Sequence, residues 1–133
     1  MSGPQIDAWA GRRALAADDN EDSRKLATLM LKRQGMEVTQ AEDGRQATDQ
    51  AVSASFDLIL MDLEMPVMSG LEAIRAIRAA PLAAQPRIVG LSAHADDSAR
   101  QACLAAGADA YLVKPMRMAD LVRVLAEVLG PAD

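Results

Sequence analysis

The feature of this 133-residue sequence that most restricts its fold is an alternation, repeated five times, between a short apolar run and a helical pattern. This alternation is typical of a parallel sheet whose strands are joined by crossover helices. Three of the runs are unbroken, as expected of strands that are covered on both faces. Because crossovers of this kind are right-handed, the sequence predicts helices on both faces of a five-stranded sheet. The predicted strands are residues 14–17, 37–41, 57–61, 87–91 and 110–113.

The length suits one domain with a single core. Residues 1–11 carry Gly, Pro and scattered polar groups without periodicity, and we interpret them as a leader or linker. The domain is predicted over residues 12–130, followed by a short tail at 131–133. Because the chain has only three aromatic residues, the core is expected to be aliphatic. Cys103 lies in an Ala-rich helical pattern and is expected to be a small buried hydrophobe rather than a reactive thiol.

Charge and hydropathy exclude several classes of function. The net charge of −5 argues against a general nucleic-acid surface. No apolar run approaches the roughly 20 residues that a membrane-spanning helix needs, and the first residues lack a signal-peptide pattern. We therefore expect a cytoplasmic domain without direct nucleic-acid or membrane contact.

Polar residues follow the predicted strands at the points where each strand ends. In open α/β sheets this edge binds ligands. Two carboxylates about 4 Å apart repel by about 4 kcal/mol at an effective dielectric of 20, so several acids at one edge call for a cation. An all-oxygen site suits Mg²⁺, with Mn²⁺ as an alternative. A lysine at the same edge, Lys114, adds a second positive charge. The residues are Asp18 and Asp19 after the first strand, Asp62 after the third, Ser92 after the fourth and Lys114 after the fifth.

Two further acids, Glu21 and Asp22, follow the Asp18-Asp19 pair after one intervening residue. We interpret them as first-turn residues of a helix, where negative charge is favoured. The spacing of acids from Asp18 imitates the start of a calcium-binding loop, but Ser23 stands where that loop needs glycine and Leu29 where it needs glutamate. The sequence therefore favours a helix start over calcium chemistry.

Four segments in this order resemble the receiver domain of response regulators in bacterial two-component signalling. They are the Asp18-Asp19 pair, "LILMDLEMPVMSG" around Asp62, "GLSAH" around Ser92 and "GADAYLVKPM" around Lys114. The resemblance runs from about residue 13 to residue 129. It implies a flavodoxin-like, doubly wound five-stranded parallel sheet with strand order 2-1-3-4-5. The "MDLEMPVMSG" segment resembles the receivers of hybrid sensor histidine kinases in particular.

The resemblance implies that Asp62 is a phosphoacceptor. It would take a phosphoryl group from a phosphohistidine on a histidine kinase or a histidine phosphotransfer domain, as carboxylate nucleophiles do in other covalent intermediates. It also implies that Mg²⁺ is held by Asp18, Asp19, Asp62 and the backbone carbonyl of Glu64. The chain would then catalyse its own phosphorylation and dephosphorylation without being a conventional enzyme, and the complete protein could be a hybrid histidine kinase.

Further roles come from the same resemblance. Lys114 would contact the phosphoryl group, and Ser92 would donate its hydroxyl to it. Tyr111 matches an aromatic switch position, although a half-buried strand aromatic is the alternative interpretation. The peptide bond before Pro115 is expected to be cis.

Two positions are expected to tune how long the phosphoryl group stays attached. Glu64 lies two residues after Asp62, and His94 lies two residues after Ser92. The Glu64 side chain could repel a phosphoryl group or reach the metal ion. His94 could equally be a solvent-facing loop residue.

The partner surface implied by the resemblance is the face made by the fourth helix, the fifth strand and the fifth helix. This face would include Arg100, Arg117 and Arg123 and could support a homodimer. If the chain comes from a membrane-bound hybrid kinase, the domain would form part of its cytoplasmic portion.

Two other functions remain open at the level of sequence. One is a pseudo-receiver, an interaction module with the same fold that is not phosphorylated. The other is a haloacid-dehalogenase-like phosphatase, whose second acid would be Glu64, although the short chain leaves no room for a cap domain and the order of lysine and hydroxyl fits receivers better.

Overall fold

The computed structural model describes residues 9–130. Most of the predicted leader and the whole predicted tail therefore lie outside the described residues. No helix within the described part is long and apolar enough to cross a membrane. Along the described chain the elements are β1 Arg13–Ala17, α1 Glu21–Lys32, β2 Glu37–Ala41, α2 Gly44–Ser53, β3 Leu58–Asp62, α3 Gly70–Ala79, β4 Arg87–Ser92, α4 Asp97–Ala106, β5 Ala110–Val113 and α5 Met118–Leu129.

The five strands form one sheet in the order β2-β1-β3-β4-β5, with every neighbouring pair parallel. The predicted doubly wound α/β fold and its strand order are therefore confirmed. Three strands differ from their predicted ranges by one residue: β1 begins at Arg13, β4 continues to Ser92, and β3 is shifted from the predicted range 57–61. It runs over Leu58–Asp62, and Asp62 is its last residue, in register with Leu91 of β4.

The core has two layers, one on each face of the sheet. Alternate strand residues point to opposite faces, as in Leu15 and Ala16 of β1, which belong to different clusters. Helices α2, α3 and α4 cover the Leu15 face, whereas α1 and α5 cover the Ala16 face. The core is aliphatic as predicted, and Cys103 is fully buried within it. Burial raises the pKa of the Cys103 thiol to about 11, which keeps it in the unreactive protonated form.

Trp9 lies in the range 1–11 that the sequence assigned to a leader, yet its side chain is only 2% exposed. Its indole Nε1 donates to the carbonyl of Gly130 at 3.2 Å, and its backbone N–H donates to the carbonyl of Gln34 at 2.9 Å. A buried indole adds a large apolar area to the core. The start of the domain at residue 12 stays a prediction, and the packing of Trp9 favours an earlier start.

We call the side of the sheet where the strands begin the amino edge and the side where they end the carboxyl edge. At the amino edge, Asp109, Asp57 and Arg78 have partners within the protein. Asp109 accepts from the backbone N–H of Ile88 at 2.9 Å through the oxygen that also meets the Arg78 guanidinium. Asp57 accepts from the backbone N–H of Arg13 at 2.8 Å. The Arg78 guanidinium donates at 2.7 to 2.9 Å to the carbonyls of Gly107 and Pro86 and to the side chains of Gln85 and Asp109.

Candidate functional site at the carboxyl edge

Three carboxylates meet at the carboxyl edge of the sheet. Asp18 follows β1 and is 3% exposed, Asp62 ends β3 and is 2% exposed, and Asp19 is exposed. One oxygen from each of the three lies within 4.8 Å of the others. The fold thus brings together the acids that the sequence selected, and their oxygens form a set of the kind that hard divalent cations prefer.

Lys114 follows β5 and reaches across the edge to this group. Its Nζ lies 3.2 Å from Oδ2 of Asp18 and 3.3 Å from Oδ2 of Asp62. The lysine side chain is 27% exposed, so this pairing is screened much less than an ion pair on an open helix surface. The peptide bond between Lys114 and Pro115 is cis.

The balance of charge around Asp62 is unfavourable for its ionised form. Burial and then the neighbouring Asp18 charge raise the pKa of Asp62 to about 7, against the opposing effect of Lys114. Burial would lower the pKa of Lys114, but the charges of Asp62 and Asp18 outweigh it, and the net direction is upward. Three carboxylates facing one ammonium leave an excess of two negative charges when all are ionised. The donor set and its charge therefore fit a divalent cation such as Mg²⁺.

Local hydrogen bonds fix the directions of the two buried acids. The backbone N–H of Asn20 donates to Oδ1 of Asp18 at 2.9 Å, and the backbone N–H of Glu64 donates to Oδ1 of Asp62 at 3.1 Å. Asn20 also caps α1 by accepting from the backbone N–H of Ser23. Glu21 and Asp22 lie in the first turn of that helix, as predicted.

Arg24 was missed by sequence reasoning. Its Nη1 donates to the backbone carbonyl of Asp18 at 3.0 Å, and its Nε donates to Gln40 Oε1 at 3.0 Å. The residue thereby ties α1 to the ends of β1 and β2. A basic residue in the second turn of a helix has many ordinary explanations, and nothing in the sequence pattern pointed to this contact.

Ser92 ends β4 and is 1% exposed. Its hydroxyl donates to Oε2 of Glu64 at 2.8 Å and accepts from the backbone N–H of His94 at 3.1 Å. Oε1 of Glu64 accepts from the backbone N–H of Ala93 at 3.3 Å. The Tyr111 hydroxyl donates to the backbone carbonyl of His94. The four predicted residues Glu64, Ser92, His94 and Tyr111 thus form one connected chain, in which His94 takes part through its backbone while its side chain is exposed.

The loop after β3 approaches the site closely because α3 begins with Gly70. A Cβ at this position would lie 2.2 Å from the backbone oxygen of Asp62, which the strand could not accommodate. Before it, the N–H of Met68 donates to the carbonyl of Pro66 at 2.7 Å around Val67, whose φ is 68°. This γ-turn is strained for a β-branched residue. The loop is therefore held tightly against the last residue of β3.

The fold and the site define a class of protein, namely flavodoxin-like signalling domains. The family described as response regulator receiver domain matches residues 14–126. The chain therefore belongs to the response regulator receiver domain family, and it is a receiver domain of two-component phosphorelay signalling.

Relatives and solved structures agree with this assignment. The sensor protein GacS of Pseudomonas syringae pv. syringae is 36% identical over 133 residues, which cover 98% of this chain and 15% of GacS. A crystal structure of the receiver domain of sensor histidine kinase PA1611 from Pseudomonas aeruginosa PAO1, with a magnesium ion coordinated in its active-site cleft, superposes with a TM-score of 0.83. It is 38% identical and covers 91% of this chain and 99% of that one.

A third comparison concerns a complex. The receiver domain of the response regulator Ssk1 from Saccharomyces cerevisiae, solved with the histidine phosphotransfer protein Ypd1, is 26% identical with a TM-score of 0.80. The match covers 88% of each chain. This chain spans about a seventh of the length of curated relatives such as GacS, so the match concerns their receiver domains alone.

Proposed function

We propose that Asp62 is the phosphoacceptor of this receiver domain. The observation that carries the proposal is the position of its buried carboxylate at the end of β3, 3.3 Å from Lys114 and within metal-ligand range of Asp18 and Asp19. A carboxylate oxygen of Asp62 attacks the phosphorus of a phosphohistidine, and an acyl phosphate forms. The P–N bond breaks, its electron pair stays on the imidazole, and the imidazole nitrogen takes up a proton.

The chain's own residues orient and stabilise this transfer. Asp18, Asp19, Asp62 and the backbone carbonyl of Glu64 would hold Mg²⁺, which when bound supplies positive charge against the phosphoryl oxygens. Lys114 adds a second positive charge beside the attacking carboxylate. The amide N–H of Glu64 on Oδ1 fixes the direction of the Asp62 carboxylate.

Phosphorylation can be tested on the intact chain with acetyl phosphate and with a phosphorylated histidine phosphotransfer domain, both in the presence of Mg²⁺. We expect intact-protein mass spectrometry to find one added phosphoryl group on the wild type and none on Asp62→Asn. Asp57→Asn removes an exposed carboxylate from the amino edge and should be phosphorylated normally. If the wild type takes no phosphoryl group from either donor, the chain acts as a pseudo-receiver instead.

The phosphoryl lifetime gives a second test of the same site. The backbone N–H of Glu64 donates to Oδ1 of Asp62, so a phosphoryl group on Asp62 would lie close to Glu64. We expect Glu64→Asn to change the rate of autodephosphorylation at least severalfold, measured by loss of the phosphorylated mass over time in Mg²⁺ buffer. Equal decay of the two proteins would contradict the tuning role of Glu64. A phosphatase of the haloacid dehalogenase type would instead hydrolyse generic phosphate esters with turnover.

The partner is proposed to be a histidine kinase or a histidine phosphotransfer domain that docks beside the site. Leu26 and Leu29 on α1 are 54% and 56% exposed, which supports an apolar contact there. A cavity of about 290 Å³ adjoins the site between α1 and the segment after β5. Its lining includes Leu26, Ala27, Met30, Leu91, Lys114 and Met116. Leu26→Ser should weaken transfer from the phosphotransfer domain but not from acetyl phosphate, because only the protein donor needs the docking surface.

A homodimer through α4, β5 and α5 belongs to the same proposal, with the domain working in the cytoplasm as part of a longer signalling protein. Arg100 pairs with Asp97, and Arg123 pairs with Asp120, each within its own helix. Arg117 is exposed before α5. Sedimentation of the phosphorylated and unphosphorylated chain tests the dimer, and a monomer in both states would exclude it.

A further inference from the structure

The Glu64 carboxylate occupies the donors that lie next to the phosphoacceptor. The Glu64 backbone lies beside Asp62, where its N–H donates to Oδ1 of the aspartate. The Glu64 side chain then crosses to β4, where one oxygen accepts from the Ser92 hydroxyl at 2.8 Å and the other accepts from the Ala93 N–H at 3.3 Å. Both oxygens of one carboxylate are thus used on adjacent donors.

The Ser92 hydroxyl has a single proton to donate. It accepts from the N–H of His94 at 3.1 Å and gives its proton to Glu64. The residue is 1% exposed, so water does not supply an alternative acceptor from bulk solvent. A hydroxyl donates one hydrogen bond at a time. The Ser92 hydroxyl therefore donates either to the Glu64 carboxylate or to an anion attached to Asp62.

We propose that Glu64 is an internal substitute for the phosphoryl group. In the unphosphorylated protein its carboxylate binds Ser92 and Ala93, and phosphorylation of Asp62 must displace it from these two donors. The inference rests on the proposed role of Asp62 and concerns how access to the same site is regulated. The Glu64 carboxylate and a phosphoryl group on Asp62 cannot both bind these two donors favourably, because two negative charges so close together repel.

Displacement of Glu64 from Ser92 is linked to Tyr111 through the backbone of His94. The N–H of His94 is bound to the Ser92 hydroxyl, and the carbonyl of His94 accepts from the Tyr111 hydroxyl. When Glu64 leaves Ser92 and the hydroxyl turns toward the phosphoryl group, the segment from Ser92 to His94 loses the carboxylate that anchors it. Tyr111 is held by that segment, so release of Glu64 and movement of Tyr111 are coupled.

A double-mutant cycle with beryllofluoride and Mg²⁺ as the probe tests the competition. Beryllofluoride binds aspartate carboxylates as an analogue of the phosphoryl group. We expect Glu64→Ala to lower the half-saturating beryllofluoride concentration by about tenfold, as expected for removal of a charged hydrogen-bond competitor. In the Ser92→Ala background the same substitution should have a clearly smaller effect, because only the Ala93 N–H is then still contested.

The matched control is Glu42→Ala. Glu42 follows β2 at the same edge of the sheet and is exposed, so its removal changes the net charge equally without touching Ser92. We expect a change of less than about twofold from this control. If Glu64→Ala keeps its full effect in the Ser92→Ala background, Glu64 acts through charge alone and the proposed competition is overturned.

A second measurement uses the metal-free, unphosphorylated chain and does not depend on phosphorylation. In a ¹H–¹⁵N NMR spectrum, Glu64→Ala should move the Ala93 amide proton upfield and speed its exchange with water, whereas Glu42→Ala should leave it unchanged. An unmoved Ala93 amide overturns the proposed contact. Failure of the wild type to bind beryllofluoride or take up a phosphoryl group would instead remove the role of Asp62, so the two failures are distinguishable.

Discussion

At the amino edge of the sheet, Asp109 faces the Arg78 guanidinium and a backbone N–H, whereas at the carboxyl edge three aspartates cluster and the Lys114 ammonium pairs with two of them, Asp18 and Asp62. Both edges are built from the same kinds of side chain on the same five strands. The difference lies in whether the charges are neutralised within the chain. At the amino edge they are, so the charged groups serve the fold.

At the carboxyl edge the acids are left in excess, and burial, followed by the neighbouring Asp18 charge, raises the pKa of Asp62. The ionised form of a buried carboxyl group beside a like charge is stabilised when a cation binds next to it. Unbalanced charge held rigidly on strand ends marks the functional edge.

The largest expected effect is on metal binding. Replacing both Asp18 and Asp19 with alanine removes two of the three clustered carboxylates, so we expect Mg²⁺ affinity to fall at least about 100-fold, measured by calorimetric titration. Neutralising the neighbouring acids with Glu21→Gln and Asp22→Asn should leave the affinity nearly intact, because both lie in the first turn of α1. Equal losses in the two double variants would mean that net charge, rather than the cluster, attracts the ion.

The next effect is on stability at the amino edge. Arg78→Ala removes a guanidinium that donates to two backbone carbonyls and two side chains and is only 21% exposed. We expect the free energy of unfolding to fall by about 2 to 3 kcal/mol, because two partly buried carbonyls lose their donor together with two side-chain partners. Urea unfolding measures this, and Mg²⁺ affinity should stay unchanged. A stability loss below about 0.5 kcal/mol would show that this network contributes no more than surface pairs do.

The same substitution at the two edges should act in opposite directions. The folded-state pKa of Asp62 is about 7, above the ordinary value of 3.8, so between these pH values the folded state binds more protons than the unfolded state. The stability of the metal-free protein should therefore fall as pH rises from about 4 to about 7. At pH 8, Asp62→Asn should stabilise the metal-free chain by about 1 to 2 kcal/mol, and this gain should shrink toward pH 5.

Asp109→Asn provides the comparison for Asp62→Asn. It weakens the pairing with Arg78 and should destabilise the chain by about 1 kcal/mol at pH 8. Thermal unfolding without metal at pH 5 and pH 8 measures both variants. Stabilisation by both substitutions, or by neither, would contradict the contrast between the edges.

The strands, their order and the acids of the carboxyl edge were predictable because each follows from a local pattern. Apolar runs mark the strands, and in a parallel sheet the residue after each run must lie at the same edge. Asp18, Asp62 and Lys114 therefore meet in space although they are far apart in the sequence. The shift of β3 by one residue is a boundary effect, since its last apolar residue and Asp62 both continue the ladder to β4.

The remaining contacts depend on loop conformation, which no local pattern determines. The bond between Glu64 and Ser92 joins residues 28 positions apart and needs the Glu64 side chain to turn toward β4 rather than toward the metal site. The salt bridge from Arg78 to Asp109 spans 31 positions and depends on the turn between α3 and β4. Trp9 is a single aromatic residue in a stretch without periodicity, so its burial could not be deduced from the sequence.

The smallest effect is expected for ion pairs on the open helix surface. Arg123 on α5 lies 3.3 Å from Asp120 and 3.9 Å from Glu127, and its side chain is 58% exposed. Arg123→Ala should change the free energy of unfolding by less than about 0.5 kcal/mol in urea, because water screens the pairs and ordering two long side chains opposes them. A loss as large as that of Arg78→Ala would mean that pairing alone stabilises this fold. The expected difference arises because Arg78 also satisfies two backbone carbonyls, one at the end of α4 and one just before β4, which an exposed pair within one helix cannot do.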